Sequence, residues 1–370
     1  MSSTLTSLVK DTAVYGLSSM FGRFLNWLLT FVYVRILIPE EFGQMTNLYA
    51  WTAILMILLT YGMETAFFRF ANKEDRPEDV YSTTLWSLGV SSLIFVLLGW
   101  LFLDPLASAL QITQHQDLLV YLLLIVASDA FMAIPLGYLR YEQRPWRFMA
   151  VRMSFVLATI ALTLFAFYVL PYLGEQIPLM GELHPREHAL EYIFGINLVS
   201  NALQMLLLLP TLRKATGRFD GKLLRAMLVY ALPMLLLGLA GNFNNQADKI
   251  LFPLLFDDPH YAHSQLGIYG ACYKLAVVMV LFTQAFRYAY EPFVFAAAKN
   301  DQSGDNRATY AATMKYFIIF TLAAFLLVMA YIDVLKYLMG RDYWEGLPTV
   351  AVVMVGEIIK GVYFNLSFWY

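Results

Sequence analysis

The residues best able to do chemistry in this sequence are charged groups set inside long apolar stretches. Arg23 lies deep in the first stretch, and Glu64 and Arg69 lie in the second. Charge is costly at membrane depth, so it marks helix faces turned toward a bundle interior or a wet cavity. Thr12, Tyr15, Ser19, Arg23, Asn26, Thr30 and Tyr33 follow one another every three or four residues. That spacing draws one polar stripe down an α-helix. A guanidinium on such a stripe binds phosphate oxygens through a planar fork and stays protonated when buried. The chemistry indicated is non-covalent: holding an anion in a low-dielectric cavity, with Asn26 donating beside Arg23. Arg23 lies ~16 Å from the inner end of its helix, too deep for easy snorkelling. The other reading makes it an arginine paired within the bundle. Glu64 fits either account, as a cavity residue or as the partner of Arg23 in the empty state.

Further candidates sit in later segments. Asn242 and Asn245 belong to the run Asn242-Phe243-Asn244-Asn245-Gln246, preceded by Pro233, Gly238 and Gly241. Pro and Gly permit a bend where backbone lines a cavity, and small residues equally permit close helix contact. Lys274 and Arg287 offer cations at other depths, and Arg287 has Glu291 one turn away. Asp129 is a lone acid, suited to a proton or sodium ion or to a hydrogen bond between helices. Glu357 and Lys360, three residues apart, either neutralise each other or couple ion flow. His184 and His188 have a zinc-like spacing, but Pro185 between them disfavours a helix carrying both, so no metal site is expected. Glycine-rich phosphate loops, nucleotide motifs and Ser/His/Asp arrangements are absent from the sequence. No cofactor is therefore expected, and Na+ or H+ is the candidate coupling ion.

The elements that must position these groups follow from composition. The chain has 370 residues, 59% hydrophobic and 14% charged, where ordinary globular chains are nearer a quarter charged. A net charge of −2 without a basic run gives no nucleic-acid footprint. Cys272, the single cysteine, excludes disulfides within the chain. The expected architecture is all-α and polytopic, with ten membrane segments at 12–38, 45–71, 83–103, 118–139, 151–170, 190–211, 226–252, 266–295, 314–332 and 347–367. Connections on the N-terminal side of the membrane hold fifteen Lys and Arg, against three on the other side, Arg186, Lys336 and Arg341. The N-terminus is therefore expected to be cytoplasmic.

An internal echo adds to this. Arg35-Ile36-Leu37-Ile38-Pro39 reads like Lys249-Ile250-Leu251-Phe252-Pro253, and Gly43 and Tyr49 match Gly267 and Tyr273. An even number of crossings separates the copies, the arrangement of a parallel repeat with a site expected between its halves.

Several stretches resemble the polysaccharide and O-antigen flippase family, within the multidrug/oligosaccharidyl-lipid/polysaccharide exporter superfamily. They are Lys10 to Tyr15, Arg35 to Gly43, Tyr61 to Arg69, Arg140 to Phe148 and Tyr230-Ala231-Leu232-Pro233. The resemblance covers nearly the whole chain. It implies an exporter-type fold of two six-helix lobes, here an N-terminal lobe over 1–211, a cytoplasmic linker over 212–225 and a partial C-terminal lobe over 226–370. Ten helices against the family's twelve or more imply a C-terminally truncated chain. The resemblance also implies a non-enzymatic transporter in a bacterial inner membrane. Its substrate would be an undecaprenyl-pyrophosphate-linked oligosaccharide, and membrane lipids and a polysaccharide polymerase its partners. A cation-coupled multidrug exporter of the same superfamily is the second reading. An integral membrane glycosyltransferase or polymerase is the third, disfavoured by outside loops too short for a catalytic domain.

The basic asymmetry generates the first prediction. In a Cys272→Ser background, cysteines placed at 144 or 218 should resist an impermeant thiol reagent in intact cells and react in opened membranes. Labelling of either position in intact cells would reverse the orientation.

Overall fold

The computed structural model describes residues 20–110, 112, 115–174, 185–300 and 307–366, and of their side chains all but 285 and 287–310. Nine helices among the described residues are long and apolar enough to cross a membrane. They correspond to the second through tenth expected segments. The first expected segment is helical over 20–36 (α1), and its earlier part lies outside the described residues.

Proline and acid mark where the helices begin. Pro39 opens α2 (Pro39–Thr60), followed by Glu40 and Glu41, and the Ile38 amide donates to Glu41 Oε2 at 3.2 Å. Proline lacks the amide that a first turn leaves unbonded, and acids there meet the positive end of the helix dipole. Pro77, with Glu78 and Asp79, opens α4 (Pro77–Leu101) in the same way. The second segment is interrupted between α2 and α3 (Met63–Ala71). Tyr61 and Gly62 there adopt φ 35° and 71°, a left-handed pair that ends one helix and restarts the next. A short helix α5 (Leu103–Ala109) precedes α6 (Gln116–Tyr141). Pro145 begins α7 (Pro145–Leu164), which continues through a π-helical turn, Phe165–Val169, into α8 (Leu170–Gly174). Next come α9 (Ala189–Leu212) and α10 (Gly221–Leu251), the latter capped by the Asp220 carboxylate accepting from the Lys222 and Leu223 amides. The long α11 (Pro259–Asn300), α12 (Arg307–Ala330) and α13 (Leu347–Leu366) complete the chain.

Contacts divide the molecule into two compact units, one of 1–29 with 44–262, the other of 30–43 with 263–370. In the first unit α6 is the central helix, packed against α3, α4, α7 and α9. Its buried residues include Leu118, Leu122, Val126, Ala130 and Ile134. Phe67 anchors an aromatic group with Tyr81, Tyr138 and Tyr141, at ring distances of 6.1, 6.4 and 5.9 Å. Hydroxyls inside the segments bond mostly to carbonyls one turn back, as Thr52 does to Leu48 and Thr84 to Val80. Such bonds remove the cost of polar groups where no water is available.

The second unit is drawn together around Tyr343. Its hydroxyl donates to the Leu37 carbonyl at 2.8 Å, its carbonyl accepts from Cys272 Sγ at 3.5 Å, and its ring meets Phe42 edge-on. In the same unit Gly43 and Gly267, paired in the sequence echo, cross at a shared point. A Cβ on Gly43 would fall on the carbonyl oxygen of His263, and a Cβ on Gly267 would fall on that of Pro39. The contacts are reciprocal, each glycine meeting the carbonyl four residues before the other, as a local two-fold axis requires. Gly43→Ala and Gly267→Ala should therefore destabilise by similar amounts, about 1–3 kcal/mol each as overpacking costs. Thermal unfolding in detergent measures this. A loss at one glycine alone would contradict the local symmetry.

Candidate functional site

Within the first unit lies a cavity of about 480 Å³, inside the size range of small-ligand sites. Its walls come from α1, α2, α3, α6, α7 and α9. The polar lining is Arg23, Asn26, Glu64, Asp129, Arg140, Arg152 and Gln204. Each is delivered by helical spacing. Asp129, Ala133, Leu136 and Arg140 form one stripe of α6, and Phe148, Arg152 and Phe155 one stripe of α7. Eleven residues separate Asp129 from Arg140, so the charged wall runs ~16 Å along α6. Glu64 reaches the cavity because α3 restarts just before it, at Met63.

Three guanidiniums face two carboxylates, a formal excess of one positive charge. Glu64 and Arg140 form an ion pair, and the Arg140 guanidinium also lies 5.2 Å from the Phe68 ring centre and 5.6 Å from that of Phe148. Asp129 lies within electrostatic reach of Arg152, and beside it the Asn201 side-chain amide donates to Ser128 Oγ at 3.3 Å. These contacts offset the cost of bringing ionised groups to membrane depth, which is ~2.5–3.5 kcal/mol per residue on insertion scales. They also orient the arginine forks, and pre-oriented donors are what recognition of a phosphate-like anion needs.

Four residues expected from sequence therefore meet in one cavity: Arg23, Asn26, Glu64 and Asp129. The others lie elsewhere. Asn242 donates to the Ala53 carbonyl at 2.7 Å and Asn245 to the Gly241 carbonyl at 2.9 Å, so both bond backbone. Lys274 is a half-buried residue of the second unit. Glu357 pairs with Lys360 at 3.7 Å and accepts from the Tyr273 hydroxyl at 3.5 Å, also in the second unit. The side chain of Arg287 lies outside the described residues, as does His184. Sequence reasoning missed Arg140, Arg152 and Gln204 as cavity residues. It counted both arginines among the charges of the inside face, Arg140 one residue past the span that ends at 139 and Arg152 one residue into the span that begins at 151. The helices continue to Tyr141 and start at Pro145. The signal available was the stripe of four-, three- and four-residue steps running on from Asp129.

Among the described residues, His115, Asp117 and Glu191 bring three ligating atoms within 4.8 Å of one another. His115 Nδ1 lies 3.3 Å from Glu191 Oε1, a contact that ties the start of α6 to α9. Asp117 beside them is exposed.

Fold and site together define a multi-pass membrane protein with a charged cavity inside a helical bundle. The chain belongs to the polysaccharide biosynthesis protein family, whose model matches residues 8–288. Two solved structures share its fold. One, described as "Crystal structure of MATE in the straight conformation", is 14% identical with a TM-score of 0.54, over 96% of this chain and 82% of that one. The other, described as "protein A", is 16% identical with a TM-score of 0.59, over 96% of this chain and 83% of that one. No curated protein matches the chain.

The Glu64–Arg140 pair is half-exposed, so its coupling should fall near the top of the surface range, about 1 kcal/mol. A double-mutant cycle with Glu64→Gln and Arg140→Gln, read by unfolding in detergent, measures it. Additive effects would mean that the two do not pair.

Proposed function

We propose that the protein is a flippase for lipid-linked oligosaccharide, moving an anionic phosphate or pyrophosphate head group across a bacterial inner membrane by alternating access. The observation that carries this reading is the convergence of Arg23, Arg140 and Arg152 on one cavity inside the helical bundle. A pyrophosphate brings about two negative charges into a region where unpaired charge costs several kcal/mol. Planar guanidiniums meet phosphate oxygens two at a time. Membership of a polysaccharide biosynthesis family supports a glycan-bearing substrate, and the exporter-like fold supports movement across the membrane. Two six-helix lobes rocking about a central cavity, with the N-terminus cytoplasmic, complete the proposal. Asp129 and Glu64 are its candidates for Na+ or H+ coupling, and Glu357 with Lys360 are the candidates in the second unit. A polysaccharide polymerase is the proposed downstream partner.

The same two acids favour a second reading, a cation-coupled exporter of drug-like cations. Arginine substitution separates the two. In a strain lacking its own copy of the gene, Arg23→Ala should abolish surface polysaccharide while the protein stays folded and membrane-inserted. Arg23→Lys should restore part of it, because a point charge lacks the fork. Normal polysaccharide from Arg23→Ala at wild-type abundance would overturn the role given to Arg23. Unchanged polysaccharide on deletion of the gene, with altered drug susceptibility, would favour the exporter.

A further inference from the structure

The first unit carries a second concavity, unlike the cavity in every chemical respect. It is a groove of about 550 Å³ between α4 and α10, walled by Trp86, Val90 and Ile94 on one side and Leu224 and Leu228 on the other. Trp86 and Val90 are exposed there, on a helix that crosses the membrane. The groove follows α4 for eight residues, ~12 Å, most of the ~15 Å depth of one leaflet's hydrocarbon. Its floor is polar but satisfied. Tyr61 Oη lies 2.7 Å from Ser87 Oγ and 3.5 Å from Ser91 Oγ, and Ser91 donates to the Leu88 carbonyl. An occupant need supply no hydrogen bonds, which suits a hydrocarbon chain and not a sugar.

The mouth of the groove is built, with Arg218, Lys222 and Arg225 near the carboxylates of Asp79 and Asp220, both of which accept from backbone amides. Phe219, exposed, lines it. The strand of chain carrying Phe219 is fixed to the start of α4: the Arg218 amide donates to Asp79 Oδ1 at 2.7 Å, Thr83 Oγ1 donates to the Arg218 carbonyl at 3.4 Å, and the Asp220 amide donates to Thr83 Oγ1 at 3.0 Å. Arg218, which precedes Phe219 in sequence, and Arg225 both stand exposed, as does Lys222 in the first turn of α10. Arg225 follows Leu224 and lies one turn before Leu228, so its position flanks the groove. An aromatic ring at the interface, basic side chains above it and an apolar slot beneath it are complementary to one kind of molecule.

We propose that this groove binds an anionic phospholipid, its phosphate at Arg218, Lys222 and Arg225 and one acyl chain along Trp86, Val90 and Ile94. The site is independent of the function proposed above. Tyr61 forms part of the groove floor and Glu64 part of the cavity lining, with the left-handed Tyr61–Gly62 turn joining α2 to α3 between them. The bound chain therefore lies against the segment that also holds the Glu64–Arg140 pair.

Trp86 reports occupancy directly. The full chain is reconstituted in phosphatidylcholine vesicles carrying a minor fraction of brominated phosphatidylglycerol, or of brominated phosphatidylcholine. The contribution of Trp86 is isolated by comparison with Trp86→Phe. Brominated phosphatidylglycerol should quench Trp86 several-fold more strongly than brominated phosphatidylcholine. Each basic residue removed should cut that preference by up to about fivefold, so that Arg218→Gln/Lys222→Gln/Arg225→Gln abolishes it. Val90→Phe, which fills the groove and leaves the basic residues in place, should lower the quenching as well. Equal quenching by the two lipids would mean that the groove holds bulk lipid only. Absence of quenching would mean that no lipid enters it. Either result overturns the proposal.

Discussion

Hydrocarbon offers a charge no solvent, and the first unit is arranged around that constraint. Its ionised groups at depth are gathered on the inner faces of several helices, where carboxylates sit beside guanidiniums and the shared cavity gives them a polar environment. The apolar faces of the same helices are left to lipid and to α6, whose burial by four neighbours makes it the axis of the bundle. Stability and site come from one arrangement: the helices cannot bury their arginines without building a cavity, and the cavity inherits the arginines' charge.

That arrangement also explains the contrast between the two concavities of this unit. The cavity concentrates ionised groups whose partners are other side chains. The groove between α4 and α10 has apolar walls, and its hydroxyls bond one another and a backbone carbonyl. One selects for charge and the other for hydrocarbon, and α2 with α3 contributes to both. A short left-handed turn, costing of order 1–3 kcal/mol where the residue is not glycine, lets one membrane segment serve two chemistries. A Cβ on Gly62 would stand 2.8 Å from the Ala231 carbonyl, so that turn is held close against α10.

Much of this was legible in the residues because the strongest signals are also the coarsest. Twenty apolar residues can hardly be anything but a membrane helix, and segments two through ten appear where hydropathy puts them. Arg23, Glu64 and Asp129 stood out because a charge inside such a segment has few explanations. Arg140 and Arg152 did not, since each stands within a residue or two of the end of an apolar stretch, where a basic side chain reads as an interfacial anchor, although the helices run on past those ends. The interruption at Tyr61–Gly62 was hidden for another reason: a glycine among apolar residues is ordinary, and its backbone angle depends on what packs against it. Asn242 and Asn245 lie apart from the cavity. Amides in a row suggest a cavity wall, and each of these two donates to a backbone carbonyl.

The crossing of Gly43 and Gly267 has a consequence for how the chain came to be. The hydrogen that replaces a side chain on each glycine points at the carbonyl oxygen of the other helix, the geometry of a Cα–H···O bond worth ~0.5–1 kcal/mol in condensed phase. Neither glycine can be exchanged without forcing the other helix back. If the two halves arose by duplication, selection could loosen nearly every other matched position independently, but these two only together. In that case the pair would preserve the ancestral contact, in which one glycine met its own copy across a symmetry axis.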